Sequence, residues 1–176
     1  MLRFILAVGL LSTWPSFAVG QLPAASRASS AQRQPIDVTA PIDSWMKCSE
    51  CTERELNAVV KLGPLAVPVL GQILRDGPPA QSSQAMRNLL LANYSRLKEF
   101  EKSHPKPKVP ANEQEFVKIY MDNFDARNRV RAARALSRIG GSDARTFLEE
   151  AQRAPLRDDV RQAIRHELEL INTPKP

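Results

Sequence analysis

Between Asn128 and Gly141 the chain reads NRVRAARALSRIGG, and its apolar and polar positions separate on a helix that turns about 100° per residue. Val130, Ala132, Ala133, Ala135, Leu136 and Ile139 sweep one broad arc, while Arg127, Arg131, Arg134 and Arg138 form a narrow stripe opposite it. One side is therefore suited to burial and the other to water. Val-Arg-x-Ala opens this segment at Val130 and returns at Val160-Arg161-Gln162-Ala163, 30 residues later, a period typical of stacked helical repeats.

The rest of the chain supplies further helices of the same kind. Thr52 with Glu55 forms a capping box ahead of Leu56, Val59 and Val60. Gly63 is placed to close that helix with positive φ, and Pro64 to start the next, which runs apolar nearly all round from Leu65 to Leu74. Asp76-Gly77-Pro78-Pro79 stops it. A longer helix is predicted from Ala80 to Lys102, with Met86, Leu89, Leu90, Leu97 and Phe100 on one face. Asn93 falls on that face too, and is expected as a buried, hydrogen-bonded side chain more than as the acceptor of the Asn93-Tyr94-Ser95 sequon. Ser103 to Ala111 holds three prolines and is expected as an extended loop.

Asn112 and Glu115 then cap a helix lined by Phe116, Ile119, Tyr120 and Phe124. On one continuous wheel this face points roughly opposite to the Val130–Ile139 face, so a break is expected between Asp125 and Asn128. After Gly140-Gly141, Ser142 or Asp143 caps a helix carrying Ala144, Phe147, Leu148 and Ala151, ended by Pro155. Val160, Ala163, Ile164, Leu168 and Ile171 line the last one.

Two segments carry a family resemblance. Val130-Arg131-Ala132-Ala133, leading to Ile139-Gly140 and a second helix, resembles the bacterial HEAT-like repeat of the phycobilisome-lyase type. Leu62-Gly63-Pro64-Leu65-Ala66-Val67-Pro68-Val69-Leu70 resembles the junction between the two helices of that repeat. The resemblance covers Thr52 to Ile171, most clearly Arg127–Ile171 and Leu56–Asp76. It implies an all-α fold, a short α-solenoid of stacked antiparallel helix pairs, and a protein-binding role. The family takes its name from chromophore-attaching enzymes, yet no chromophore-site motif matches a position here.

Composition changes the picture chiefly at the start of the chain. MLRFILAVGLLSTWPSFAVG sets one basic residue, Arg3, before an apolar run from Phe4 to Leu11, with Ala18 and Gly20 placed for a cut before Gln21; residues 1–20 read as a secretory signal peptide. Ser12, Thr13 and Pro15 interrupt the run well short of the ~20 residues a membrane span needs, so no stable membrane insertion is expected after cleavage. Residues 21–44, rich in Ala, Ser, Pro and Gln, read as a flexible linker, 45–172 as the HEAT-like helical domain and 173–176 as a polar tail.

Without residues 1–20 the chain holds 24 basic and 19 acidic side chains, a net +5. The charges are interleaved, which fits a solvated surface and no nucleic acid partner. Aromatic content of 6% suits closely packed helices.

Cys48-Ser49-Glu50-Cys51 is the one pair with a chemical signature. In an exported chain an even cysteine count favours a disulfide, and two residues three apart at a helix start can reach the ~4.4–6.8 Å Cα separation that a bridge requires. A thioredoxin-like site lacks its βαβ setting, haem attachment lacks a histidine at Thr52, and zinc lacks further ligands, His104 and His166 being the only histidines. Glu149-Glu150 and Asp158-Asp159 are ordinary surface acids by position, and Glu149 is expected to pair with Arg153. The sequence thus predicts a periplasmic or secreted, non-enzymatic binding or scaffold module with no cofactor, no catalytic residue and no metal. Its partner is expected to be another envelope or secreted protein. Arg127, Arg131, Arg134 and Arg138 are expected to keep the helix soluble and to pair with acids of the neighbouring repeat, as the resembled family's Val-Arg position often does, or else to meet that partner. A redox- or metal-linked envelope protein using Cys48 and Cys51 is the alternative.

Overall fold

A computed structural model describes residues 37–48, 51–104 and 108–173. The chain divides into Met1–Pro35 and Ile36–Pro176, and the description concerns the second unit. Its described residues are 83% helical, forming seven helices that pack against one another, with no strand among them. The signal peptide and most of the linker expected from the sequence lie outside the described residues.

The first helix, α1 (Thr39–Lys47), begins inside the stretch expected to be flexible. Asp37 accepts the Thr39 N–H at 2.9 Å, and Pro41 sits in the first turn, where its missing N–H costs little. Ile42, Trp45 and Met46, spaced three and one apart, are all buried. Apolar content over residues 21–44 is low on average, but Ile42 sits one turn before Trp45 and joins it on the buried face. The linker expectation therefore ends before Thr39.

In α2 (Glu53–Val60) both arms of the Thr52–Glu55 capping box are formed, as expected. Gly63 takes φ 56°, and a short 3₁₀ turn, Gly63–Ala66, leads into α3 (Val67–Asp76), which places Pro68 in the first α-helical turn. The direction changes by 99° across this junction. Gly77 ends α3 with φ 89°.

Helix α4 (Ala80–Ser103) matches its predicted span, but only Leu90 is fully buried along it. Met86, Tyr94 and Leu97 are half-buried against Leu90, Phe116 and Val117 in a small separate core. Leu89 and Phe100, expected to be covered, are 53% and 49% exposed.

The expected break at Asp125–Asn128 is absent: α5 runs unbroken from Glu113 to Ile139. Its two apolar faces are both used because they meet different neighbours. Phe116 and Val117 join the small core on α4, while Ala126, Ala132, Ala133, Ala135 and Leu136 join the main core with α3, α6 and α7. Asn128, between Ala126 and Ala132, is the buried polar side chain among the described residues, and its Nδ2 donates to the Phe124 carbonyl at 2.7 Å. That role was expected of Asn93, which is only half-buried.

Gly140 (φ 72°) and Gly141 (φ 88°) turn the chain into α6 (Ser142–Arg153), where Gly141 itself occupies the cap position expected for Ser142 or Asp143. Helix α7 (Asp158–Asn172) follows, burying Val160, Ile164 and Leu168. Helices α3, α5, α6 and α7 form the main block: α3 packs on α5 and α6, and α7 packs on the same two. The α3–α6 approach depends on Gly71. A Cβ there would lie 2.5–2.6 Å from three carbons of the Phe147 ring, so no larger residue fits unless that ring moves. Among the described residues no single helix is long and apolar enough to cross a membrane.

Candidate functional site

The arginine stripe does not stay together. Four side chains that share one helix face reach three different surroundings, because α1 and α2 lie across the middle and end of that face.

Arg131 is the half-buried member. Its guanidinium donates to the Met46 carbonyl at 2.6 Å and the Cys48 carbonyl at 2.7 Å. These are carbonyls at the C-terminal end of α1, which lack partners within the helix and carry the negative end of its dipole. In return the Trp45 indole N–H donates to the Arg131 carbonyl at 3.1 Å, and the guanidinium lies 5.8 Å from the Trp45 ring centroid. Burial, with a smaller contribution from Arg127, pulls the Arg131 pKa below the usual arginine value.

Arg134 and Arg138 each bond a different oxygen of Glu53 at 2.7 Å, gripping the first turn of α2. Between these two attachments lies the cysteine pair. Cys48 and Cys51 are disulfide-bonded with their Cα atoms 5.3 Å apart, and both pack half-buried against the main core. The stripe therefore holds the α1–α2 corner to α5 from both sides of the bridge.

Arg129 completes the set and was not singled out in the sequence. Its Nε bonds Asp125 at 2.7 Å while Nη1 donates to the Leu74 and Arg75 carbonyls at 2.7 and 2.6 Å, closing the end of α3 as Arg131 closes the end of α1. The Asp125–Arg129 spacing of four was the visible signal, but such a pair alone reads as an exposed surface contact. Gly77 is part of this arrangement, since a Cβ there would collide with the Asp125 carboxylate.

Arg127 remains. It is exposed, its guanidinium 5.7 Å from the Phe124 ring centroid, and no ion pair ties it among the described residues. It stands over two adjoining depressions of about 230 and 220 Å³ between α1, α4 and α5 that share Met86, Phe124 and Arg127.

The other candidate groups stay apart. His104 stacks on Phe100 at 4.0 Å at the end of α4, and His166 is exposed on α7. Asp158 pairs with Arg161 and Asp159 with Arg157, while Glu149 meets Arg145 at 2.8 Å in place of Arg153. Among the described residues no group of three or more His, Cys, Asp or Glu is positioned to hold a metal ion. Compared with protein-family models, curated proteins and solved structures, the chain finds no match in any of the three.

Proposed function

We propose that this chain is an exported, non-enzymatic binding or scaffold module built from HEAT-like helix pairs, acting on another envelope or secreted protein. The observation that carries the reading is the placement of the two Val-Arg-x-Ala copies. They lie on α5 and α7, which pack on each other, with α6 touching both and α3 touching α5 and α6. This two-layer order, α5 and α7 in one layer with α3 and α6 in the other, is what repeat stacking would produce, and stacked repeats present extended surfaces suited to protein partners.

Export rests on the character of residues 1–20, and the half-buried cysteine pair at the α1–α2 corner supports a structural bridge over a redox centre. Affinity capture from the envelope fraction of the source cell, with the chain as bait, tests the reading. A protein retained in proportion to bait and competed by free bait is expected. Retention of nothing, or turnover of a small molecule by the purified chain, would count against it.

A further inference from the structure

The proposed binding role leaves open which face a partner meets. The surface that the fold leaves unfinished is the trough beneath Arg127. Its floor is Met86, Leu90 and Phe124, and its walls are Met46 of α1, Ala85 and Leu89 of α4 and Tyr120 of α5. Leu89 is 53% and Tyr120 48% exposed, so large apolar side chains stand open to water on both walls. From Ser82 to Leu90 the trough follows α4 for about 12 Å, or two helical turns.

Its charges all have one sign. The lining residues include Lys47 and Arg127 and no carboxylate. Lys47 is held by Asp43 at 2.9 Å, whereas Arg127 has no such partner among the described residues. A second copy meeting this face with its own same face would bring the same cations to the same place, on a molecule of net charge +5 without residues 1–20. The complementary occupant is apolar along one side and anionic at its edge.

Resting on the binding-module reading, we propose that this trough docks a short amphipathic helix of a partner protein, with apolar side chains three and four residues apart against Leu89 and Phe124 and a carboxylate against Arg127. Helix-in-groove recognition uses this arrangement of anchors, and an arginine fork grips a carboxylate with two hydrogen bonds. Arg131, Arg134 and Arg138 take no part, because α1 and α2 already occupy them.

The test uses two labelled 16-residue helical peptides with the same leucine spacing, one flanked by glutamates and one by lysines, titrated into the full chain by fluorescence anisotropy. The glutamate peptide is expected to saturate and to bind about tenfold tighter than the lysine peptide at low salt, the gap closing as salt is raised. Leu89→Gln is expected to weaken it by about tenfold or more and Arg127→Gln by about threefold, both with unchanged melting, since both side chains are exposed. Equal binding of the two peptides, or variants that bind like the parent, would overturn the proposal. So would self-association in sedimentation equilibrium that Leu89→Gln abolishes, or loss in both variants of binding to vesicles containing phosphatidylglycerol while neither peptide binds. If an envelope partner is still captured by both variants, the binding-module reading stands and the trough is the wrong surface. If the parent chain captures nothing, it is that reading which fails.

Discussion

Trp45 and Arg131 hold each other across 86 positions of chain: the indole N–H donates to the arginine's own carbonyl at 3.1 Å while the guanidinium leans over the indole ring. The pair fastens α1 to the second half of α5, and the stripe arginines are expected to contribute unequally to stability. Arg131→Gln removes two charge-assisted bonds to half-buried carbonyls and is expected to cost about 2–3 kcal/mol. The double change of Arg134 and Arg138 to Gln removes exposed ion pairs to Glu53 and is expected to cost under about 1 kcal/mol, less still at high salt. Urea denaturation of the two variants decides the order. If the double variant proves the less stable, the clasp is centred on Glu53 and not on α1.

Acid should loosen the same corner from the other side. The Thr52 hydroxyl, with Arg54 second, holds the Glu55 carboxyl down to about 2 from 4.5. A carboxyl whose pKa is depressed by folding stabilises fully above its unfolded value, and that contribution disappears as pH falls from about 4.5 towards 2. Stability measured against pH is expected to drop less steeply through this window in Glu55→Gln than in the parent. Parallel curves would mean that the capping box contributes nothing to the pH dependence.

Much of this fold can be seen in the sequence because its signals are local. Thr52–Glu55, Gly140 and the apolar lines of α6 and α7 each specify their own element within a few residues, and the structure follows them; Gly63 has its expected positive φ but opens the 3₁₀ turn, α2 having already ended at a Lys61 cap. The unbroken α5 could not be read that way. Judging its two faces against one wheel assumes a single neighbour, whereas α4 covers one face and the main block the other. Asn128 becomes legible as a buried position only on the continuous helix, where it lies in line with Phe124 and Ala132, four residues to either side. The Glu53 pairs of Arg134 and Arg138 follow the expectation that the stripe meets acids of a neighbouring helix, whereas the Met46 and Cys48 carbonyls that hold Arg131, more than 80 residues away, carry no side-chain signal.

Two glycines should fail for different reasons. Gly71→Ala places a methyl group into the Phe147 ring and is expected to cost about 1–3 kcal/mol by overpacking. Pairing it with Phe147→Leu should recover part of the loss, because the two changes share one contact. A Cβ at Gly140 meets no neighbouring atom within 4 Å, yet φ there is 72°, so Gly140→Val is expected to cost more than about 1 kcal/mol through backbone strain. Thermal unfolding of the three variants measures both effects. A Gly71→Ala protein as stable as the parent would place the ring elsewhere.

For the cysteines, replacing both by serine is expected to cost about 2 kcal/mol, the amount the loop-entropy relation assigns to so short a closed loop. Hydrogen exchange should quicken in Thr39–Lys47 and leave Ser142–Arg153 and Asp158–Asn172 unchanged. Alkylation of both thiols in the unreduced protein would sink the bridge altogether.

The distance in sequence between α1 and its seat on α5 imposes an order of assembly. Trp45 leaves the ribosome, or the export channel, long before Arg131, and no other described backbone carbonyl receives its indole N–H. Loop closure over that separation comes late, whereas α5, α6 and α7 are neighbours in the chain and can associate as they emerge. The first described helix can meet α2, its neighbour in the chain, early, but its seat on α5 must wait, leaving the Trp45 indole N–H without its carbonyl in the meantime. Cys48 and Cys51, only three apart, need not wait and can be joined beforehand, so that α1 and α2 arrive at the finished block already bent into the corner that its arginines receive. Pulse-labelling exchange during refolding is expected to show α1 protected last.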